Sequence, residues 1–148
     1  MAGPYKRILV ATDFSPSAQR ALREALRLAD DDAELTLIHV TPKLEPALPW
    51  SRTNRRIVTR LGRQAVADAR TALATLAAGL DGVRPHTRVR IGVAHEAILD
   101  EAKRRRAQVI VIGSQGHTLS ERLTIGSTAE RVVRKAPIPV LVTPTKRR

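Results

Sequence analysis

Two short stretches, Ile8-Leu9-Val10-Ala11 and Val109-Ile110-Val111-Ile112, are apolar without a break, and each stops abruptly, the first at Thr12-Asp13 and the second at Gly113-Ser114. A strand with one wet face alternates apolar with polar residues. A run that does not alternate has to be covered on both faces, as the central strands of a parallel sheet are by helices. The segments between these runs supply such helices. Ser15-Pro16 offers an N-cap followed by proline in the first turn, and Ala18, Leu22, Ala25 and Ala29 recur at helical spacing until the Asp30-Asp31-Asp32 run, which is expected to break the helix. Leu35 to Val40 then reads as a second strand, which completes a βαβ unit.

Thr41 to Arg52 holds Pro42, Pro46 and Pro49 and is expected to be an irregular surface loop. From Ile57 to Leu80 the apolar positions step by three or four residues, which marks a long amphipathic helix with arginines on its other face. Thr87 to Ile91 alternates, as an edge strand does. Glu96 to Arg106 returns to helical spacing. After Val109 to Ile112 come a loop from Gly113 to Gly126, a helix capped by Ser127 that runs to about Lys135, and a last strand from Ile138 to Thr143. This pattern predicts an α/β fold: a five-stranded parallel sheet with helices on both faces. Right-handed crossovers and the edge character of the third strand give the order 3-2-1-4-5, which reverses direction between strands one and four. Ligands of such sheets bind beyond the carboxyl ends of the strands at the reversal, and here those ends are Thr12-Asp13 and Gly113-Ser114.

The chain has 148 residues, enough for one domain spanning 1–148 with a basic tail at 145–148. It lacks an apolar stretch near the ~20 residues of a membrane helix, and its start has no signal-peptide core, so a soluble cytoplasmic protein is expected. With no cysteine, disulfides and thiolate metal sites are excluded, and the four histidines show no paired ligand spacing. A formal charge of +12 attracts anions of many kinds, but three aromatics cannot build a stacking platform for single-stranded nucleic acid, so specific nucleic-acid binding is not expected.

The chemistry concentrates at Gly113-Ser114-Gln115-Gly116 and Gly126-Ser127-Thr128. Glycine allows close backbone approach to oxygen atoms, and the first turn of a helix presents unpaired N–H groups to an anion. Residue by residue, each also has a plain reading: Gly113 ends a strand, Gly116 makes a turn, and Ser127 is an ordinary N-cap. Two familiar phosphate motifs are absent. The P-loop needs Gly-Lys-Ser/Thr where this chain has Gly126-Ser127-Thr128, and the dinucleotide fingerprint would fall where it has Asp13-Phe14-Ser15-Pro16.

Taken jointly, Gly113, two residues, Gly116, nine residues and then Gly126-Ser127 resembles the nucleotide-binding signature of the universal stress protein family. Lys6 to Ser15 is similar to that family's opening strand and aspartate, Gly92 to Leu99 to its segment after the third strand, and Ala136 to Val142 to its closing strand. The resemblance covers essentially the whole chain. His117 and Leu119 stand where many members have a basic residue and glycine, and Ala94 stands where they often have proline.

The resemblance implies an adenine nucleotide alpha hydrolase-like fold and the ATP-binding branch of the family, with Mg or Mn as the metal that could accompany ATP. Asp13 would meet the ribose or adenine and the Val40 main chain the adenine. Gly113, Gly116, Gly126, Ser127 and Thr128 would hold the phosphates, with His117 beside them. For Asp13 a local turn at the strand end is the alternative, and His39 reads as a satisfied core histidine rather than a base. No convincing catalytic set is present, so the expected role is nucleotide-dependent signalling or protection in stress response. The alternatives are a slow ATPase, or a basic interaction module using Lys103 to Arg106, the arginines between Arg52 and Arg63, and the Lys146-Arg147-Arg148 tail. A homodimer through Ile138 to Thr143 is expected, because an edge strand otherwise exposes unpaired backbone groups.

Overall fold

A computed structural model describes residues 3–45, 51–115 and 125–145. Its elements follow in the order β1 (Tyr5–Ala11), α1 (Pro16–Leu28), β2 (Ala29–Thr41), α2 (Arg52–Ala78), β3 (His86–Ile91), α3 (Ala94–Arg104), β4 (Val109–Gly113), α4 (Ser127–Lys135) and β5 (Val140–Thr143). All four strand pairings are parallel and the sheet order is β3-β2-β1-β4-β5, as the sequence pattern requires.

The two uninterrupted apolar runs lie side by side in the middle of the sheet, with Ile8 opposite Val109 and Ala11 opposite Ile112. Alternate residues of each strand feed opposite faces. Ile8, Val10, Val109 and Val111 pack with Ala21, Leu22, Ala25 and Leu73 of α1 and α2. Leu9, Ala11, Ile110 and Ile112 pack with Ile98, Ala102, Ala129 and Val132 of α3 and α4. Fully burying one such aliphatic side chain is worth about 1.5–3 kcal/mol, so this two-sided layer is what holds the strand ends in place.

Several boundaries differ from the sequence reading. Helix α1 ends at Leu28, and the Asp30-Asp31-Asp32 run falls inside β2 rather than in a break before it. There the pairing slips from Tyr5–Ala29 to Arg7–Glu34, so the acidic run occupies an irregular stretch of an extended chain. Helix α2 starts at Arg52 because the Ser51 side chain accepts a hydrogen bond from Asn54 N. The last strand begins at Val140 rather than Ile138. Pro139 instead lends its carbonyl to Ile110 N at 3.0 Å.

The run Lys103-Arg104-Arg105-Arg106 does not behave as one basic patch. Edge strand β3 is tied to α3 by a cluster in which the Glu101 carboxylate, 1% exposed, faces Arg88 Nε at 3.3 Å, Arg90 Nη1 at 3.0 Å and Arg105 Nε at 3.1 Å. Asp100 Oδ2 accepts from Arg90 Nη2 at 3.0 Å and from Arg104 Nε at 2.8 Å. The hydrogen bonds from Arg104 and then Arg90 hold the Asp100 carboxyl below its ordinary range. A group whose folded pKa lies below its unfolded one binds its proton more tightly when unfolded, so the stabilisation is full above the ordinary carboxylate range and is lost as pH falls through the folded value. Asp100→Asn is therefore expected to lower the melting temperature at pH 7, with the difference from the parent shrinking as the pH is taken below about 4 in thermal melts.

Candidate functional site

A cleft of about 390 Å³ opens at the carboxyl ends of β1, β2 and β4, where the strand order reverses. Asp13, Val40, Gly113, Gly126, Ser127 and Thr128 all line it. Gly116 and His117 lie outside the described residues.

The β1–α1 corner is built by local hydrogen bonds. Phe14 sits at φ 64, its N–H donates to Thr12 Oγ1 at 3.0 Å, and Ser15 N donates to Asp13 Oδ1 at 2.9 Å. Asp13 thus shapes the turn at the strand end and also lines the cleft. Ser15 caps α1, accepting from Ala18 N at 3.3 Å with Pro16 in the first turn. His39 is held by a 2.8 Å hydrogen bond between its Nδ1 and the Thr12 carbonyl and rests against the Phe14 ring at 4.9 Å between centroids. A carbonyl only accepts, so Nδ1 carries the proton, and His39 is the satisfied, half-buried histidine that its position in the strand suggested.

Gly113 has a packing reason to be glycine. A Cβ there would lie 2.3 Å from Ser17 Oγ and 2.8 Å from Ala18 N, so the first turn of α1 occupies the space that any side chain would need. The residue after next is fixed by the same helix. Ser17, fully buried, donates its hydroxyl to the Gln115 carbonyl, and its own carbonyl accepts from Thr143 Oγ1 at 3.0 Å. Ser114 N donates to the Thr143 carbonyl at 2.8 Å, and Thr145 Oγ1 to Gln115 Oε1 at 3.2 Å. Segment 113–115 is therefore pinned to α1 and β5. Ser17 went unnoticed in the sequence, where the sole hint was a second serine two residues after the α1 cap, and Ser114 and Gln115 were named only as members of the glycine-rich segment.

At the other side, Gly126 N donates to the Ser114 carbonyl, which brings the two ends of the intervening loop together. Gly126, not Ser127, is the N-cap of α4: it is extended at φ −65 and ψ 157, and its carbonyl accepts the first helical bond from Glu130 N at 2.9 Å. No side chain among the described residues caps this helix. Ser127 instead occupies the first helical position, so its hydroxyl and the amides of Ser127, Thr128 and Ala129 are left at the cleft wall.

The cleft is two-sided in character. Ile38, Val40, Ala94 and Ile98 give one end an apolar lining, and the start of α4 gives the other end backbone donors and hydroxyls. No lysine or arginine lines it among the described residues, and Asp13 is its one carboxylate there. Positive potential comes instead from helix starts, since α1, α3 and α4 all begin at this edge, each carrying roughly half an elementary charge. No group of three metal-ligating side chains occurs among the described residues.

The model of the universal stress protein family matches residues 4–144. The chain belongs to that family. Universal stress protein MJ0531 of Methanocaldococcus jannaschii is 33% identical over 141 residues, covering 93% of this chain and 81% of that protein. The solved structure of MJ0577 from the same organism superposes with a TM-score of 0.85 at 27% identity, covering 97% of this chain and 99% of that one. A family member from Arabidopsis thaliana, solved with AMP bound, shares the fold with a TM-score of 0.63 at 20% identity, covering 94% of this chain and 91% of its own. The fit of Gly113 against α1 gives a test within this family member itself. Gly113→Ala is expected to destabilise it by about 1–3 kcal/mol, the usual cost of overpacking, seen as a melting temperature several degrees lower without any ligand present.

Proposed function

We propose that this universal stress protein binds an adenine nucleotide, ATP in its working form, in the cleft at the sheet reversal, and acts as a cytoplasmic nucleotide-dependent signalling or protective protein in stress response. The observation that carries the reading is the start of α4, which no described side chain caps, at the opposite end of the cleft from the apolar lining of Ile38, Val40, Ala94 and Ile98. A ligand suited to both ends has a flat, largely apolar body and an anionic tail, which describes a nucleotide. The base would lie against Val40 and Ile98, the ribose near Asp13, and the phosphates against the amides of Ser127 to Ala129. Gly126 and Gly113 would shape the wall rather than donate, since the Gly126 amide is engaged by Ser114 and the space beside Gly113 is filled by α1. A bound Mg or Mn would take most of its oxygen ligands from the phosphates, with Asp13 as the carboxylate at hand. The AMP-bound relative is alike in fold only, so the assignment here rests on this chain's own cleft.

Ser127→Pro tests the phosphate assignment cleanly. Proline is favoured at the first helical position, and Gly126 already has the extended backbone that a residue before proline adopts. The substitution removes one amide and one hydroxyl donor while leaving the helix intact. The melting temperature should stay within about 2 °C of the parent while ATP affinity in calorimetry drops about tenfold or more, as loss of a charge-assisted hydrogen bond worth roughly 1.5–3 kcal/mol requires. Ser127→Ala, which keeps the amide, should cost less. Unchanged ATP binding by Ser127→Pro would refute the phosphate assignment.

The proposed assembly is a homodimer through β5, which pairs with β4 on one side and lies at the sheet edge on the other, with Leu141 36% exposed. Light scattering at micromolar concentrations is expected to give twice the chain mass. Leu141→Lys should shift the population to monomer, and a parent that is monomeric throughout would disprove the assembly.

A further inference from the structure

We propose that a second ligand site lies between the carboxyl ends of α3 and α4, away from the nucleotide cleft, and that it takes a small amphipathic monoanion with a hydrocarbon or aromatic body and a carboxylate head. A pocket of about 590 Å³ is present there, within the size range of small-molecule sites. Leu99, Ala102, Ala107 and Ile138 give it an apolar floor. Ala107 and Ile138 precede β4 and β5, so the pocket sits at the opposite end of these strands from the cleft.

Lys103, Arg106 and Lys135 stand around this floor, and none of them has a carboxylate within 4.0 Å among the described residues. Their neighbours Arg104 and Arg105 are occupied by Asp100 and Glu101. Asp100, the one acid lining the pocket, is itself taken by Arg90 and Arg104. Cations at helix ends also complement the helix dipole. Two helix ends supply only about one negative charge between them against three full positive ones, so an excess of about two remains.

Arg106 adds an independent observation. Its φ of 50 lies in the left-handed region, where the end of α3 closes with Arg106 N donating to the Lys103 carbonyl at 3.1 Å and Ala107 N to the Ala102 carbonyl at 2.9 Å. Glycine is the residue this closure favours. The Arg106 carbonyl is further fixed by Arg7 Nε at 2.7 Å, while its side chain makes no hydrogen bond or ion pair among the described residues. The backbone thus needs nothing from the guanidinium, and the sequence carries a cation where glycine would fit with less strain. An inorganic anion would satisfy the cations but leave the apolar floor unfilled, and this selects an amphipathic ligand.

Decanoate, below its micelle concentration, is the probe, titrated into the full chain by calorimetry. Saturable binding to one site per chain is expected, with decanol and inorganic sulfate each at least tenfold weaker. Arg106→Gly should weaken decanoate at least tenfold while the ligand-free protein melts no lower than the parent, which separates the charge from any structural duty. Lys103→Gln combined with Lys135→Gln should weaken it severalfold. Ser127→Pro should bind decanoate as the parent does. Absence of decanoate binding, or binding untouched by both rim variants, overturns the site. Loss in Ser127→Pro equal to that in Arg106→Gly would place decanoate in the nucleotide cleft and equally overturn it.

Discussion

The close contact between Gly113 and the first turn of α1 is the constraint on which the candidate site depends. Because no side chain separates them, Ser17 can reach the Gln115 carbonyl with its hydroxyl and Thr143 with its own carbonyl. Those bonds fix the direction in which the chain leaves β4. The Ser114 carbonyl then meets Gly126 N, so the start of α4 is brought back to the same edge of the sheet. A methyl group at position 113 would enter this arrangement at its origin, and packed interiors relax only partly around added volume.

Charge is distributed in a way that separates stability from binding. The family member carries a formal +12, yet the described part of its cleft has no lysine or arginine and draws its positive potential from helix starts. Full charges are placed elsewhere. Arg88, Arg90, Arg104 and Arg105 surround two carboxylates and hold an edge strand against α3, the helix whose first turn forms the apolar side of the cleft. A network of that kind has a shared geometry in which one ordered carboxylate serves several partners, unlike isolated surface pairs of small net value. Lys103, Arg106 and Lys135 stand apart from it, and their surroundings are apolar rather than acidic.

Much of the architecture was legible because it depends on local patterns. Unbroken apolar runs identified β1 and β4, alternation identified β3 as an edge, and the handedness of crossovers then left the observed strand order. The reversal point, and with it the location of the cleft, followed from topology alone. The misplacements were at ends and breaks. An acidic run looked like an interruption, yet a slipped strand pairing accommodates it, and Ser127 looked like a cap although Gly126 already has the extended backbone of one.

The sequence by itself determined the sheet, its order, the family and some of the residues that line the cleft, since each follows from spacing within a segment or from a motif. What each cleft residue does was decided by tertiary structure. Gly113 is glycine because of a helix nearly a hundred positions earlier, and Ser17 bonds to residues 98 and 126 positions away. Arg104 and Arg105 reach Asp100 and Glu101 four residues earlier on their own helix, but the pairing of Arg88 and Arg90 with those same carboxylates depends on β3 lying beside α3. A residue's type and its neighbours in the chain set its propensities and the side it faces, but a contact partner brought in from a distant segment exists only once the chain has folded.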